Sequence, residues 1–426
     1  MQIKGVFCLS LSVMATLLPT CDGSEKEFNY DESLVPRYEL PNPLMTEDGR
    51  VVNSVEIWRS VRRPEILRLF EQHVFGRLPG INVRLRVRTH ECTEVFDHLA
   101  IREQQTVYLT DDDTGPSVDV LIYTPKKSVG PVPAFMGLNF GGNHTIDADP
   151  AIRLSKSLER KDQRRKTNGN RALEASRGLR SARWDIRKIL SGGYGLVTAY
   201  YGDIDPDFDD GFQNGIHQLD PEKGPVRAGD AGGSISAWAW GLSRILDTLE
   251  THPLIDGRRV AVFGHSRLGK TSLWAGATDE RFRLVISNNS GCGGAALSRR
   301  RYGETVKRIN TVFPHWFCRK HREYNDKENS LPVDHHQLLA LMAPRAVYVA
   351  SAQDDRWADP HGEMLSLYYA GPVFALFGKS GLPSADQIEI DRPLQVDVGY
   401  HERTGKHDVT SYDWTQYLKF ADRHLK

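Results

Sequence analysis

The chain has 426 residues, enough to bury a large core without disulfide support, and its 39% hydrophobic and 26% charged content excludes a multi-span membrane protein. Lysine plus arginine and aspartate plus glutamate both total 55, so net charge points to neither nucleic acid nor a membrane surface and leaves small molecules or neutral polymers as partners. The 37 glycines and 22 prolines fit a loop-rich catalytic domain better than a helical bundle or a fibre.

Lys4 precedes an apolar run from Val6 to Leu18 that is too short to span a bilayer and ends in Pro19-Thr20-Cys21. Residues 1–22 therefore read as a signal peptide, and the mature protein is expected to be secreted or periplasmic. Pro19-Thr20 makes a poor lipobox, which disfavours a lipid anchor on Cys21. The five cysteines contain no C-x-x-C pair, which argues against a structural zinc site. Export permits disulfides, and Cys292 with Cys318 is the expected pair, leaving Cys92 free. Residues 23–50 are charged and proline-spotted and read as a tether or surface strap. Residues 51–426 read as one catalytic domain.

Pro64 is expected to open a helix in which Ile66, Leu67, Phe70 and Val74 recur at helical spacing until Gly76. Val83, Leu85 and Val87 alternate with arginines, predicting a half-exposed strand. Val118 to Tyr123 and Ala134 to Asn139 read as the next two strands. A stretch dense in Lys and Arg, about 150–188, reads as a basic insertion at the rim, its charges a solvated face. From there strand and helix alternate: strand Leu196 to Tyr200, helix Ser234 to Glu250, strands Val260 to Phe263, Leu284 to Ser287 and Ala346 to Ala350, and a closing helix Asp413 to Leu425. Short apolar strands between helices predict an α/β domain with a mostly parallel central sheet and helices on both faces.

Val260 to Phe263 runs into Gly264-His265-Ser266, and a helical pattern follows at once. This strand–turn–helix is a nucleophile elbow, which holds a serine hydroxyl above the sheet edge at a helix N-terminus. The second glycine of G-x-S-x-G is displaced: Leu268 stands in its place and Gly269 comes one later. The bland alternative for Ser266 is a helix N-cap. A serine nucleophile needs a base and an orienting acid, in the chain order serine, acid, histidine for this topology. The C-terminal loop offers His401 and His407, the latter nearer the closing helix. The loop after Ala346 to Ala350 offers Asp354, Asp355 and Asp359. His335-His336 follows Asp334 and reads as a capped helix rather than a metal site.

Gly264-His-Ser-Arg-Leu-Gly-Lys270, Ser287-Asn-Asn-Ser-Gly-Cys292, Phe313-Pro-His-Trp-Phe-Cys318 and Trp357-Ala-Asp-Pro360 resemble motifs of the bacterial glucuronoyl esterases, carbohydrate esterase family 15. The resemblance runs from about Pro64 to the C-terminus and includes Arg183-Trp-Asp185 and Ala237-Trp-Ala-Trp-Gly241. It implies an α/β-hydrolase fold and cleavage of the ester joining 4-O-methyl-glucuronic acid of xylan to a lignin alcohol, with no metal or organic cofactor. Glucuronoxylan and lignin–carbohydrate esters would be its only expected partners, and a monomer is expected. By the same resemblance Ser266 is the nucleophile, His407 the base and Arg267 the oxyanion arginine. Lys270, Glu304 and Trp357 would line the sugar site, the bland readings being a helix-face lysine, a carboxylate paired with Arg300 or Arg301, and a core aromatic.

One position departs from the family pattern. Many members carry the triad acid just after the strand that follows the elbow, where this chain has Asn289. The acid is then expected from the alternative loop, as Asp355 with Asp354 as runner-up. Two rival readings stand beside this one: another carbohydrate esterase such as an acetyl xylan esterase, and a catalytically silent sugar-binding homologue, which Asn289 motivates.

Overall fold

The computed structural model describes residues 28–78, 80–81, 83–157, 171–221, 227–385 and 388–426. The expected signal peptide and Cys21 lie outside these residues, as does part of the basic insertion.

The first helical segment begins earlier than Pro64. Ser54 accepts from the Ile57 N–H and caps α1 (Val55–Ile57), which runs through a wide-turn stretch, Trp58–Arg62, into α2 (Arg63–His73). Proline has no N–H to continue the ladder, and Arg63 N–H reaches back to the Trp58 carbonyl instead. α2 buries Ile66, Leu69 and Phe70, and truncating Phe70 would cost about 3–5 kcal/mol.

The strand expected over 83–88 is shifted and longer, β1 (Arg86–Val95), and pairs with β2 (Ala100–Tyr108), which the periodicity did not predict. There follow β3 (Ser117–Pro125), β4 (Val132–Asn139), α3 (Ile186–Ser191), β5 (Gly195–Tyr200), α4 (Tyr201–Ile204), α5 (Ser234–Leu249) and β6 (Ile255–His265). Then come α6 (Arg267–Thr278), β7 (Leu284–Asn288), α7 (Val306–Val312), α8 (His335–Ala340), β8 (Ala346–Ala352), α9 (Pro360–Leu376), β9 (Leu394–Gln395), β10 (Val398–Arg403) and α10 (Ser411–Leu425). Asp334 and Gln337 form a capping box at α8, the role expected of Asp334.

The strands form one sheet in the order β1-β2-β3-β5-β4-β6-β7-β8-β10-β9. From β5 to β10 neighbours are parallel, and the β1–β2–β3–β5 edge and the β9–β10 pair are antiparallel. Alternate strand residues feed two cores. Met136, Val262, Val285 and Val347 pack with Phe70, Trp238, Leu273 and Phe374 on one face. Phe135, Phe263, Ile286 and Tyr348 pack with Ile189, Trp414 and Phe420 on the other. The parallel strands thus end together on one edge, where ligands bind in open α/β sheets.

Residues 28–50 lie against the domain. Phe28 packs edge-on to Trp357 at 4.7 Å, Glu32 pairs with Arg300 at 2.6 Å, and the Pro41 carbonyl meets His336 Nε2 at 2.9 Å. The expected Cys292–Cys318 disulfide is absent: both are buried free thiols, and Cys318 Sγ faces the Gln72 carbonyl instead. Among the described residues no helix is long and apolar enough to cross a membrane.

Candidate active site

Ser266 sits between β6 and α6 with φ 58° and ψ −128°, a strained conformation for a residue with a side chain. Its N–H is held by the Asn288 carbonyl at 2.8 Å, so the neighbouring strand β7 fixes the turn. A Cβ on Gly264 would lie 1.8 Å from the Leu268 carbonyl oxygen, which is why the residue two before the serine carries none. The displaced Gly269 also has a reason: a Cβ there would press on Ser290, Ser287 and Gly264 at 3.0–3.2 Å, a close approach of α6 to the strands beside it. Ser266 makes no side-chain cap bond to its helix, so the N-cap reading falls away and the hydroxyl is free for other work.

His407 lies in the loop between β10 and α10. Its Nδ1 is 2.6 Å from Asp355 Oδ2, leaving Nε2 as the nitrogen open to a nucleophile. Asp355 is almost wholly buried while the imidazole is 40% exposed, the arrangement that lets a carboxylate orient a ring at a cavity edge. Asn289, in left-handed backbone with φ 47°, donates from Nδ2 to the same Asp355 oxygen at 2.8 Å. The loop carrying His407 is tied down by Arg403, which donates to the Lys406 and Asp408 carbonyls and pairs with Asp413 at 2.8 Å.

The other candidates have different work. His401 is fully buried between Tyr348 and Asp413, each at 2.9 Å. Asp354 is exposed. Asp359 caps α9 and pairs with Arg300 at 2.8 Å.

Ser266, Arg267, Lys270, Glu304, Asp355, Trp357 and His407 all line one cavity of about 280 Å³ at the C-terminal edge of the sheet. Arg267 N–H is the first of α6, a donor that a helix leaves without an internal partner. Its guanidinium lies 4.6 Å from the Trp316 ring and 5.3 Å from Phe313, two rings stacked 3.7 Å apart, and pairs with buried Asp207. One turn further along α6, Lys270 donates to the Ser290 carbonyl and faces Glu304 at 4.0 Å. Burial lowers the Lys270 pKa, against the pull of Glu304, and raises that of Glu304, against the pull of Lys270. Glu304 therefore does not pair with Arg300 or Arg301, which bind Asp359 and Glu32 in one case and Asp326 and Glu328 in the other. Trp357 supplies a hydrogen bond to Glu304.

Sequence reasoning missed Asp207, the donor role of Asn289, and Glu363 behind the loop after β7. Three acids in Asp203-Ile-Asp-Pro-Asp207 directly after a strand were the available signal for the first.

A family model described as glucuronyl esterase of fungi matches residues 227–378. A carbohydrate esterase from an unknown prokaryotic organism is 47% identical over 420 residues, covering 97% of this chain and 96% of the relative. A 4-O-methyl-glucuronoyl methylesterase of Phanerochaete carnosa is 34% identical over 349 residues, 80% of this chain and 72% of its own length. A solved glucuronoyl esterase from Solibacter usitatus superposes with a TM-score of 0.87 at 44% identity, over 92% of this chain and 100% of that one.

Proposed function

The chain belongs to the glucuronoyl esterases of carbohydrate esterase family 15, and we propose that its cavity cleaves esters between 4-O-methyl-glucuronic acid of xylan and lignin alcohols through a covalent serine intermediate. The observation that carries this is the meeting of His407 Nδ1 with Asp355 Oδ2 beside Ser266, in the same cavity as the Lys270–Glu304 pair.

His407 Nε2 takes the Ser266 proton as Oγ attacks the ester carbonyl, and Asp355 stabilises the imidazolium. The oxyanion forms against the Arg267 side chain and the α6 N-terminus. Collapse of this intermediate breaks the bond to the alcohol, which leaves with the proton held by His407. Water then gives a proton to His407 and attacks the glucuronoyl-serine, releasing the uronic acid and restoring Ser266. Lys270 and Glu304 offer a donor and an acceptor for ring hydroxyls, and Trp357 offers an apolar face for the ring. Asp355 also counts against the silent-homologue reading, because it supplies the charge that Asn289 lacks. The leader-like residues 1–22 support export to the space where plant cell-wall polymers lie.

A fluorophosphonate probe tests the nucleophile. Labelling is expected at Ser266 and is lost in Ser266→Ala; labelling at another residue, or none on folded wild-type protein, overturns the assignment.

A further inference from the structure

Asp207 has no part in the triad, yet both of its carboxylate oxygens are bonded beside the cavity. Its side chain is fully buried. Oδ1 accepts from Trp316 Nε1 at 2.7 Å and faces His315 Nε2 at 3.1 Å; Oδ2 accepts from Tyr201 OH at 2.9 Å and pairs with Arg267 Nη1. The backbone before it is pinned as well, since Trp238 of α5 donates to the Asp205 carbonyl at 2.8 Å. Side chains from α4, α5, α6 and the loop after α7 therefore converge on one short turn.

We propose that Asp207 is a positioning and charge-compensating residue for Arg267: it holds the guanidinium against the Phe313–Trp316 wall and cancels its charge in the ground state. This rests on the reading of Arg267 as the oxyanion donor. Asp207 takes one end of a fork that carries five N–H groups, and Arg267 Nε has no hydrogen-bond partner among the described residues. The guanidinium thus keeps donors that Asp207 does not consume. Burial alone would push the Asp207 carboxyl up, but the Arg267 charge with the His315 and Trp316 donors overrides this and holds it well below the usual carboxylate range.

The charge balance has a consequence for turnover. The substrate ester is neutral and the product uronate is an anion. With Lys270 facing Glu304 and Arg267 paired with Asp207, neither cation presents an uncompensated charge that would retain the product. An oxyanion developing in the transition state still finds a fixed donor.

The test compares kcat and inhibition by free glucuronate in wild type, Asp207→Asn, Arg267→Ala and the double variant. An amide cannot accept from both pairs of donors, and it leaves Arg267 uncompensated. Asp207→Asn should lower kcat about 10- to 100-fold and bind glucuronate about five- to tenfold more tightly, and should lower kcat no further in the Arg267→Ala background. A merely structural defect would weaken product binding instead. Tyr201→Phe covers the case in which Asp207→Asn does not fold: it removes one donor from Asp207 Oδ2, and Tyr201 does not line the cavity. It should lower kcat about threefold, and only when Arg267 is present. Unchanged kcat in these variants, or equal losses with and without Arg267, overturns the proposal. If Arg267→Ala itself keeps full kcat, the oxyanion reading fails first.

Discussion

Asn289 and Asp355 are joined by a hydrogen bond of 2.8 Å, amide Nδ2 to carboxylate Oδ2, on the oxygen that also meets His407. Asn289 stands where the family resemblance implies an acid, and its amide helps to orient Asp355, the proposed triad acid from the next loop. Asp355→Asn should fold and lose about 10⁴ in kcat, because an amide there favours the wrong imidazole tautomer. Asn289→Gly should cost about tenfold, one hydrogen bond to a charged group, since glycine tolerates the left-handed backbone at this position. Adding Asn289→Glu to Asp355→Asn should restore part of the activity. Turnover on a glucuronate ester, with thermal melts as the folding control, checks all three.

The two C-terminal histidines should separate by assay. His407→Ala should abolish turnover by several orders of magnitude with little change in Tm, and combining it with Ser266→Ala should add little. His401→Ala removes one partner of fully buried Asp413, and its other partners Arg403, Thr410 and Asn288 do not fill the space the imidazole leaves. It should destabilise the fold by about 3 kcal/mol while the surviving folded fraction stays active. A dead but stable His401→Ala would reverse the assignment.

Lys270 faces Glu304 and not the elbow, so its loss should be felt in binding. Lys270→Met keeps the buried stem and should raise KM more than it lowers kcat. Arg267→Ala should do the opposite, lowering kcat about a hundredfold or more. Steady-state kinetics on one glucuronate ester distinguishes the two patterns.

Glu363 offers a pH test away from the chemistry. Its Oε1 accepts from the Ser290 and Gly291 N–H groups at 2.7 and 2.9 Å, and its Oε2 lies 2.6 Å from the Ser351 hydroxyl. Burial pushes this carboxyl up from 4.5 to about 7. The folded state then binds the proton more tightly than the unfolded state does. Its stabilising contribution is complete below pH 4.5 and is lost as pH rises to about 7, a fall of roughly 3 kcal/mol. Glu363→Gln mimics the neutral acid and should remove that slope. Equal pH dependence of Tm in the two proteins between pH 4.5 and 7 would count against this account.

The elbow was legible because its constraints are local: the glycine before Ser266, the strand behind it and the helix ahead lie within a dozen residues. The meeting of Asp355 with His407 was expected from chain order and from the family motif. Asp207 was not legible, because its partners Arg267, His315 and Trp316 lie 60 to 109 residues away and no spacing rule connects them. β2 was missed for a related reason. Arg102, Glu103, Gln104 and Gln105 are buried polar residues, so the strand shows no apolar alternation. Their burial is supported by distant partners: Arg102 by Glu91 and Asp149, Glu103 by His252, and Gln104 by the Ala151 carbonyl. The start of the first helix was misplaced because a wide turn admits Pro64 without ending the helical path.

Release of benzyl alcohol from benzyl glucuronate, beside release of acetate from acetylated xylan, measures directly whether this cavity hydrolyses glucuronate esters. kcat/KM for the glucuronate ester should exceed that for acetyl esters by about a hundredfold or more, since the Lys270–Glu304 side of the cavity has no counterpart to grip in an acetyl group. Ser266→Ala should be inactive on both. Faster acetate release by the wild type, or benzyl alcohol release that survives in Ser266→Ala, would contradict it.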